Sequence, residues 1–216
     1  MNHSLIVDSV VVRFGDKTVL SGGYITSSTG MVTGLLGRNG AGKSCMFRAL
    51  MGGLKAEYVT VSIDGENIRI ADIGKHVKYL PQGGLIPRYM TLGKAFKLYG
   101  VDYWSFVIRF PKYSRYYYSC PYELSGGEVR TAEVYLVLMS STKFCIMDEP
   151  FSWLDPVSVE GIQDLIRERK EEIGIIVTDH NYDAISRVAD NLFVISDGYT
   201  AQVHCREDLV RHGYLR

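Results

Sequence analysis

No stretch of this sequence approaches the run of about 18–20 apolar residues needed to cross a bilayer. Any work at a membrane would need a span on another polypeptide. A surplus of charge is also missing, since 24 Lys and Arg balance 24 Asp and Glu. Proteins that hold nucleic acid cluster excess cations against its phosphates, so nucleic acid is not expected as the main ligand. The opening "MNHSLIVDSVVV" lacks the basic start of a secretion signal, which sets a cytoplasmic location as the expectation. Cysteine is sparse: Cys45, Cys120, Cys145 and Cys205 are dispersed without CxxC spacing. That pattern indicates neither a zinc site nor a disulfide framework, and reduced, mostly buried thiols are expected. Internal repeats, low-complexity tracts and long linkers are absent.

The 216 residues, 46% hydrophobic and 22% charged, are enough for one globular domain with a buried core. Apolar, β-branched runs alternate with helical stretches, the pattern of an α/β domain with a largely parallel sheet. "SLIVDSVVVRFG" and "KTVLSGGYITSS" read as early strands near a sheet edge, and "GMVTGLLG" as a buried strand. A helix is expected from Lys43, ending near Gly52 and Gly53. Further strands are expected at "EYVTVSIDG", "HVKYLPQ", "KFCIMDE", "IGIIVTDH" and "NLFVISDG", with helices over "PVSVEGIQDLIRERKEE" and "NYDAISRVA". Aromatic, basic residues 87–122 break this rhythm and read as a mainly helical insertion, dividing a core of 1–86 and 123–216.

Chemistry concentrates in a few short stretches. "GRNGAGKS", Gly37 to Ser44, fits the phosphate-loop pattern G-x-x-x-x-G-K-S/T at every fixed position, between an expected strand and an expected helix. Backbone N–H groups along Gly37, Arg38, Asn39, Gly40, Ala41 and Gly42 can curl around phosphates. Lys43 brings a cation to them, and the Ser44 hydroxyl can ligate Mg²⁺. In "FCIMDEP" two acids end an apolar strand, where open α/β sheets bind ligands. Asp148 would hold Mg²⁺, and Glu149 is placed to orient and deprotonate an attacking water; a strand simply reaching the surface is the bland alternative. His180, at the end of "GIIVTDH", could reach a terminal phosphate or the water. "LSGGE", Leu124 to Glu128, puts Ser125 and the Gly126–Gly127 pair at a flexible turn opening a helix, and free N–H groups at such a start attract anions. A chain with one phosphate loop thus carries a second anion-seeking turn.

Taken in order, "GRNGAGKS", "YLPQ", "LSGGE", "FCIMDEP", "WLDP" and "TDH" resemble the nucleotide-binding subunit of ATP-binding cassette (ABC) transporters, over about Phe14 to His180. The resemblance implies a P-loop ATPase fold with a mostly parallel sheet core, an N-terminal antiparallel β region and a short helical subdomain. It implies ATP and Mg²⁺ as ligands, Gln82 as a residue touching Mg²⁺ and the transporter partner, Asp155 as the D-loop aspartate and His180 as the switch histidine. Phe14 takes the adenine-stacking position. The resemblance also accounts for the second turn: two copies face head to tail, and Ser125, Gly126 and Gly127 of each serve the ATP held by the other. An integral membrane permease would be a separate subunit, with this chain peripheral on the cytoplasmic face. A soluble ATPase of this type, acting in iron–sulfur assembly or cell division, is the alternative.

Two departures stand out. Cys45 replaces the family's usual hydroxyl after Ser44, costing one phosphate contact; Trp153 takes a usually small position, altering the dimer seam or packing locally. "RFPKYSRYYYSC", Arg109 to Cys120, reads either as a docking surface or as packing of the small lobe.

Overall fold

The computed structural model describes residues 2–180 and 182–215. Strands β1 (Ser4–Phe14) and β2 (Lys17–Ser28) form an antiparallel hairpin. Strand β3 (Val32–Gly37) leads through the glycine-rich loop into helix α1 (Lys43–Leu50). Strand β4 (Tyr58–Ile63) lies antiparallel on β1 and turns through Asp64 and Gly65 into β5 (Glu66–Asn67). Both turn residues have positive φ, 56° and 83°, the conformation that selects Asp-Gly in two-residue hairpins. Strand β6 (Val77–Leu80) precedes two helices, α2 (Leu92–Tyr99) and α3 (Tyr103–Arg109), with N-termini capped by Thr91 and Asp102. Helix α4 (Gly126–Met139), β7 (Phe144–Asp148), α5 (Pro156–Arg169) and β8 (Gly174–Thr178) follow. Helix α6 (Tyr182–Ser186), β9 (Asn191–Ser196), β10 (Tyr199–Val203) and α7 (Arg206–Arg211) complete the chain. Asn181, first residue of the expected "NYDAISRVA" helix, lies outside the described residues.

All ten strands share one sheet in the order β5-β4-β1-β2-β10-β9-β3-β8-β7-β6. From β9 to β6 every pairing is parallel, while β1, β2, β4 and β5 pair antiparallel. β1 and β2 stand third and fourth from one end, behind β5 and β4. β3, β7 and β8 are buried at every residue, as expected of parallel strands covered on both faces. Alternate side chains enter opposite cores. Leu35, Ile146 and Ile176 pack with Met46, Phe47 and Leu50 of α1, while Leu36, Met147 and Val177 pack with Leu136 and Val137 of α4.

The second core runs on into the aromatic segment, where Phe96, Phe106 and Tyr113 are fully buried beside Tyr135. The "RFPKYSRYYYSC" stretch is largely engaged within the chain. Arg109 makes a forked ion pair with Glu168 at 2.7 and 3.0 Å, and the Tyr113 hydroxyl donates to the Glu128 carbonyl at 2.9 Å. Tyr118, by contrast, is exposed. The thiols depart from expectation: Cys145 is buried, Cys45 and Cys120 are half-buried and Cys205 is exposed. Of the four, only Cys145 has strand neighbours on both sides.

Candidate functional site

Four neighbouring parallel strands, β3, β8, β7 and β6, end at the same edge of the sheet. Each delivers a different group there: the loop 37–44, His180, the acid pair 148–149 and Gln82. Asn39 to Cys45, Gln82, Glu149 and His180 line one pocket of about 380 Å³. The loop's curl depends on glycine where φ is positive, at Gly40 (80°) and Gly42 (109°). Gly42 also lies so close to β2 that a Cβ would come within 3.0 Å of Leu20. The Lys43 ammonium is folded back on the loop, donating to the Gly37 carbonyl at 2.6 Å. Burial holds its pKa below the ordinary lysine value, against the pull of the Glu149, Asp148 and Asp179 carboxylates.

Asp148 is buried at the end of β7, and its pKa is raised above the ordinary aspartate value chiefly by desolvation. The neighbouring Ser44 hydroxyl, Lys43 and Arg130 oppose that rise. The Tyr79 hydroxyl donates to Oδ2 at 3.4 Å, while Oδ1 is buried without a hydrogen-bond partner. A buried carboxylate oxygen with an unused lone pair, beside a serine hydroxyl, fits a Mg²⁺ ligand. Mg²⁺ typically takes one or two protein oxygens and completes its shell with water and phosphate. Among the described residues no group of three His, Cys, Asp or Glu side chains forms a metal cage.

Glu149 has φ 56°, a left-handed conformation that costs a non-glycine residue about 1–3 kcal/mol and clusters at functional sites. Its N–H donates to the Thr178 carbonyl at 2.7 Å, and its carboxylate accepts from Gln82 Nε2 at 2.9 Å and the Ser152 hydroxyl at 3.3 Å. His180 is well exposed, with Nδ1 3.3 Å from the buried Asp179 carboxylate.

Other residues singled out in the sequence lie apart from this pocket. Phe14, half exposed, ends β1 at the hairpin with β2. Ser125, Gly126 and Gly127 do not line the pocket. Ser125 caps α4 in a reciprocal box with Glu128, Oγ accepting from the Glu128 N–H at 3.2 Å and the carboxylate accepting from the Ser125 N–H at 2.9 Å. Gly126 and Gly127 are thus the first helical residues, not a flexible turn. Asp155 caps α5, accepting from the Ser158 N–H at 2.9 Å and its hydroxyl at 2.6 Å, with Lys112 3.5 Å away. These partners hold its pKa down at about 2, the Ser158 hydrogen bonds foremost. Trp153, at φ 63°, is well exposed, and its carbonyl lies against Gly127.

Sequence reasoning missed Arg130 and Glu133. Both are almost completely buried on α4 and paired at 3.4 Å. The available signal was two opposite charges, one helical turn apart, leading into the apolar run "VYLVLM".

A parallel sheet whose strand ends gather a phosphate loop and an acid pair around one pocket defines a P-loop nucleoside triphosphatase. The profile of the ABC transporter family matches residues 21–152. An uncharacterized ABC transporter ATP-binding protein of Methanocaldococcus jannaschii is 30% identical over 98% of this chain and 81% of its own length. The lipopolysaccharide export system ATP-binding protein LptB of Haemophilus influenzae is 28% identical over 90% of this chain and 87% of its own. In fold the chain resembles the solved ATP-binding subunit of an ABC transporter, with TM-score 0.81 at 22% identity over 97% of this chain and 93% of that one. A nucleotide-free ATP-binding cassette gives 0.78 at 24% identity, over 97% and 94%. The chain belongs to the ABC transporter ATP-binding family, and it is an ATPase.

Proposed function

We propose that this ATPase powers a membrane transporter by closing head to tail on a second copy of itself, with each copy docked to a separate integral membrane permease. It is then peripheral on the cytoplasmic face; among the described residues no helix is long and apolar enough to cross a membrane. One observation carries the reading. The pocket gathers the phosphate loop, Gln82, Glu149 and His180, whereas Ser125, Gly126 and Gly127 lie outside it and open a different helix.

In this reading Lys43 and the loop N–H groups from Gly37 to Ser44 seat the phosphates of ATP, and Phe14 stacks on the adenine. The hydroxyl missing at Cys45 leaves a backbone N–H there. Asp148, Ser44 and Gln82 would hold Mg²⁺, which when bound neutralises charge on the phosphate oxygens. Glu149 is the general base: it orients the attacking water and takes its proton, work worth about 10²–10⁴-fold in rate. The Gln82 amide rests on that carboxylate at 2.9 Å and must release it first. His180 steadies the terminal phosphate. Ser125, Gly126 and Gly127 contact the ATP of the opposite copy, and Asp155 lies at the seam between them.

Glu149→Gln should bind ATP and lose turnover, and the trapped nucleotide should shift the chain from monomer to dimer in size-exclusion chromatography with light scattering. Adding Ser125→Arg should abolish the shift while a fluorescent ATP analogue still binds the monomer. Retention of most of the wild-type rate by Glu149→Gln would remove the general base from the scheme. Loss of nucleotide binding by the monomeric double variant would remove the shared seam.

A further inference from the structure

We propose that Arg130 is a positioning residue for hydrolysis: from the helix that Ser125 opens, it sets the backbone carrying Glu149 and, with Glu133, the loop carrying Gln82. This inference rests on Glu149 being the base.

Helix α4 is buried from Arg130 to Leu138, so a charge there persists only if fully partnered. The partners are not scattered. Arg130 Nη1 donates to the Pro81 carbonyl at 2.9 Å and faces Glu133 Oε2 at 3.4 Å. Nη2 donates to the carbonyls of Asp148 and of Glu149, the latter at 3.1 Å, and Nε reaches the Glu149 carbonyl at 3.3 Å. Glu133 Oε1 accepts from the N–H groups of Leu85 at 2.6 Å and Ile86 at 2.9 Å. Gly84 passes so close that a Cβ there would sit 3.1 Å from the same oxygen.

Two side chains one turn apart therefore bracket Gln82, holding the chain before it at Pro81 and after it at Leu85 and Ile86. The same guanidinium fixes the carbonyl side of Glu149, whose N–H is already fixed on β8 through Thr178. The left-handed backbone of Glu149 persists only where its surroundings over-determine it. A planar fork of five donors meets three carbonyls in a way one ammonium cannot. Neither Arg130 nor Glu133 lines the phosphate-loop pocket, so their direct effect falls on Glu149, Asp148 and Gln82 rather than on the loop that seats the phosphates. A displacement of about 1 Å at a reacting group can cost on the order of 10²-fold in rate.

The test measures kcat, KM for ATP, equilibrium ATP affinity and thermal midpoint for the full chain carrying Arg130→Lys or Arg130→Met. Arg130→Lys keeps a cation against Glu133 and so avoids an unpaired buried charge; it carries the test alone if Arg130→Met does not fold. Folded variants should lose at least tenfold in kcat, Met more than Lys, with KM and ATP affinity within threefold of wild type. A folded Arg130→Lys with kcat within threefold of wild type, or one that loses ATP affinity at unchanged kcat, overturns the proposal. Glu149→Gln, run alongside, separates the two ideas. If it is inactive while Arg130→Lys is not, only the positioning role fails; if it is active, the base assignment itself fails.

Discussion

Adding a single methyl group at Gly127 tests how tightly the start of α4 packs against the turn at Trp153. A Cβ there would sit 2.4 Å from the Trp153 carbonyl oxygen and 3.3 Å from its carbon. Carbon–oxygen contacts settle near about 3.3 Å, so the Trp153 peptide would have to retreat by roughly 0.9 Å. That peptide has little slack. Trp153 already holds φ 63°, and the turn around it is tied by the Ser152 N–H to the Glu149 carbonyl at 3.3 Å and the Leu154 N–H to the Phe151 carbonyl at 3.4 Å. Overpacking of this kind costs about 1–3 kcal/mol, and the helical preference of Ala over Gly returns about 0.5–1 kcal/mol. Gly127→Ala should therefore lose up to about 2.5 kcal/mol and centrally about 1 kcal/mol, the latter a fall in thermal midpoint of about 2–4 °C for a chain of this size. Gly126→Ala is the internal control, because its Cβ would meet nothing nearer than Trp153 Cε3 at 4.0 Å; it should be neutral or slightly stabilising. Thermal and urea midpoints of the two variants, measured in parallel, decide the matter. Equal shifts, or a larger loss at Gly126, would refute the packing argument.

Two further predictions follow from side chains already placed. Lys43→Ala should weaken ATP binding at least tenfold by calorimetry, since it deletes the cation that the loop buries toward the acid pair; unchanged affinity would remove Lys43 from the nucleotide site. Asp155→Ala should cost about 1 kcal/mol through loss of the α5 cap, with Asp155→Ser largely sparing it. The folded-state pKa of Asp155 is depressed to about 2, below that of the unfolded chain. Its contribution is therefore fully present above the unfolded aspartate value near about 3.9 and declines toward pH 2. The urea-midpoint gap between wild type and Asp155→Ala should narrow as pH falls from 5; a gap independent of pH would show that the Ser158 hydrogen bonds do not favour the ionised carboxylate.

The parallel strands and the phosphate loop were readable in advance because both are local. Five consecutive buried residues in "FCIMD" and in "GIIVT" leave no polar face to solvate, and glycines at fixed offsets mark the loop. β5, β10 and α7 went unread, although the Asp64–Gly65 and Asp197–Gly198 pairs that turn both hairpins are themselves a sequence signal. The pocket was legible as a set of residue types at strand ends, but not as a geometry. That Gln82 rests on Glu149, 67 positions away, depends on β6 and β7 lying side by side. Arg130 was opaque for the same reason: its carbonyl partners, Pro81, Asp148 and Glu149, lie 18–49 positions distant. Asp155 illustrates the converse, since its visible partner Ser158 lies three residues along its own helix.

The core that Phe96, Phe106 and Tyr113 share with Leu136, Val137 and Met147 also bears on how the chain comes apart. The inserted segment has no apolar interior separate from that of the sheet. Its rings close against Tyr135, with centroids 6.1 Å from Phe96 and 4.8 Å from Phe106, and Tyr135 belongs to the same helix whose far side covers β7. Opening α2 and α3 strips α4, and stripping α4 uncovers the strand that ends in the acid pair. The lobe and the strand ends that carry the acid pair thus rest on one continuous apolar core.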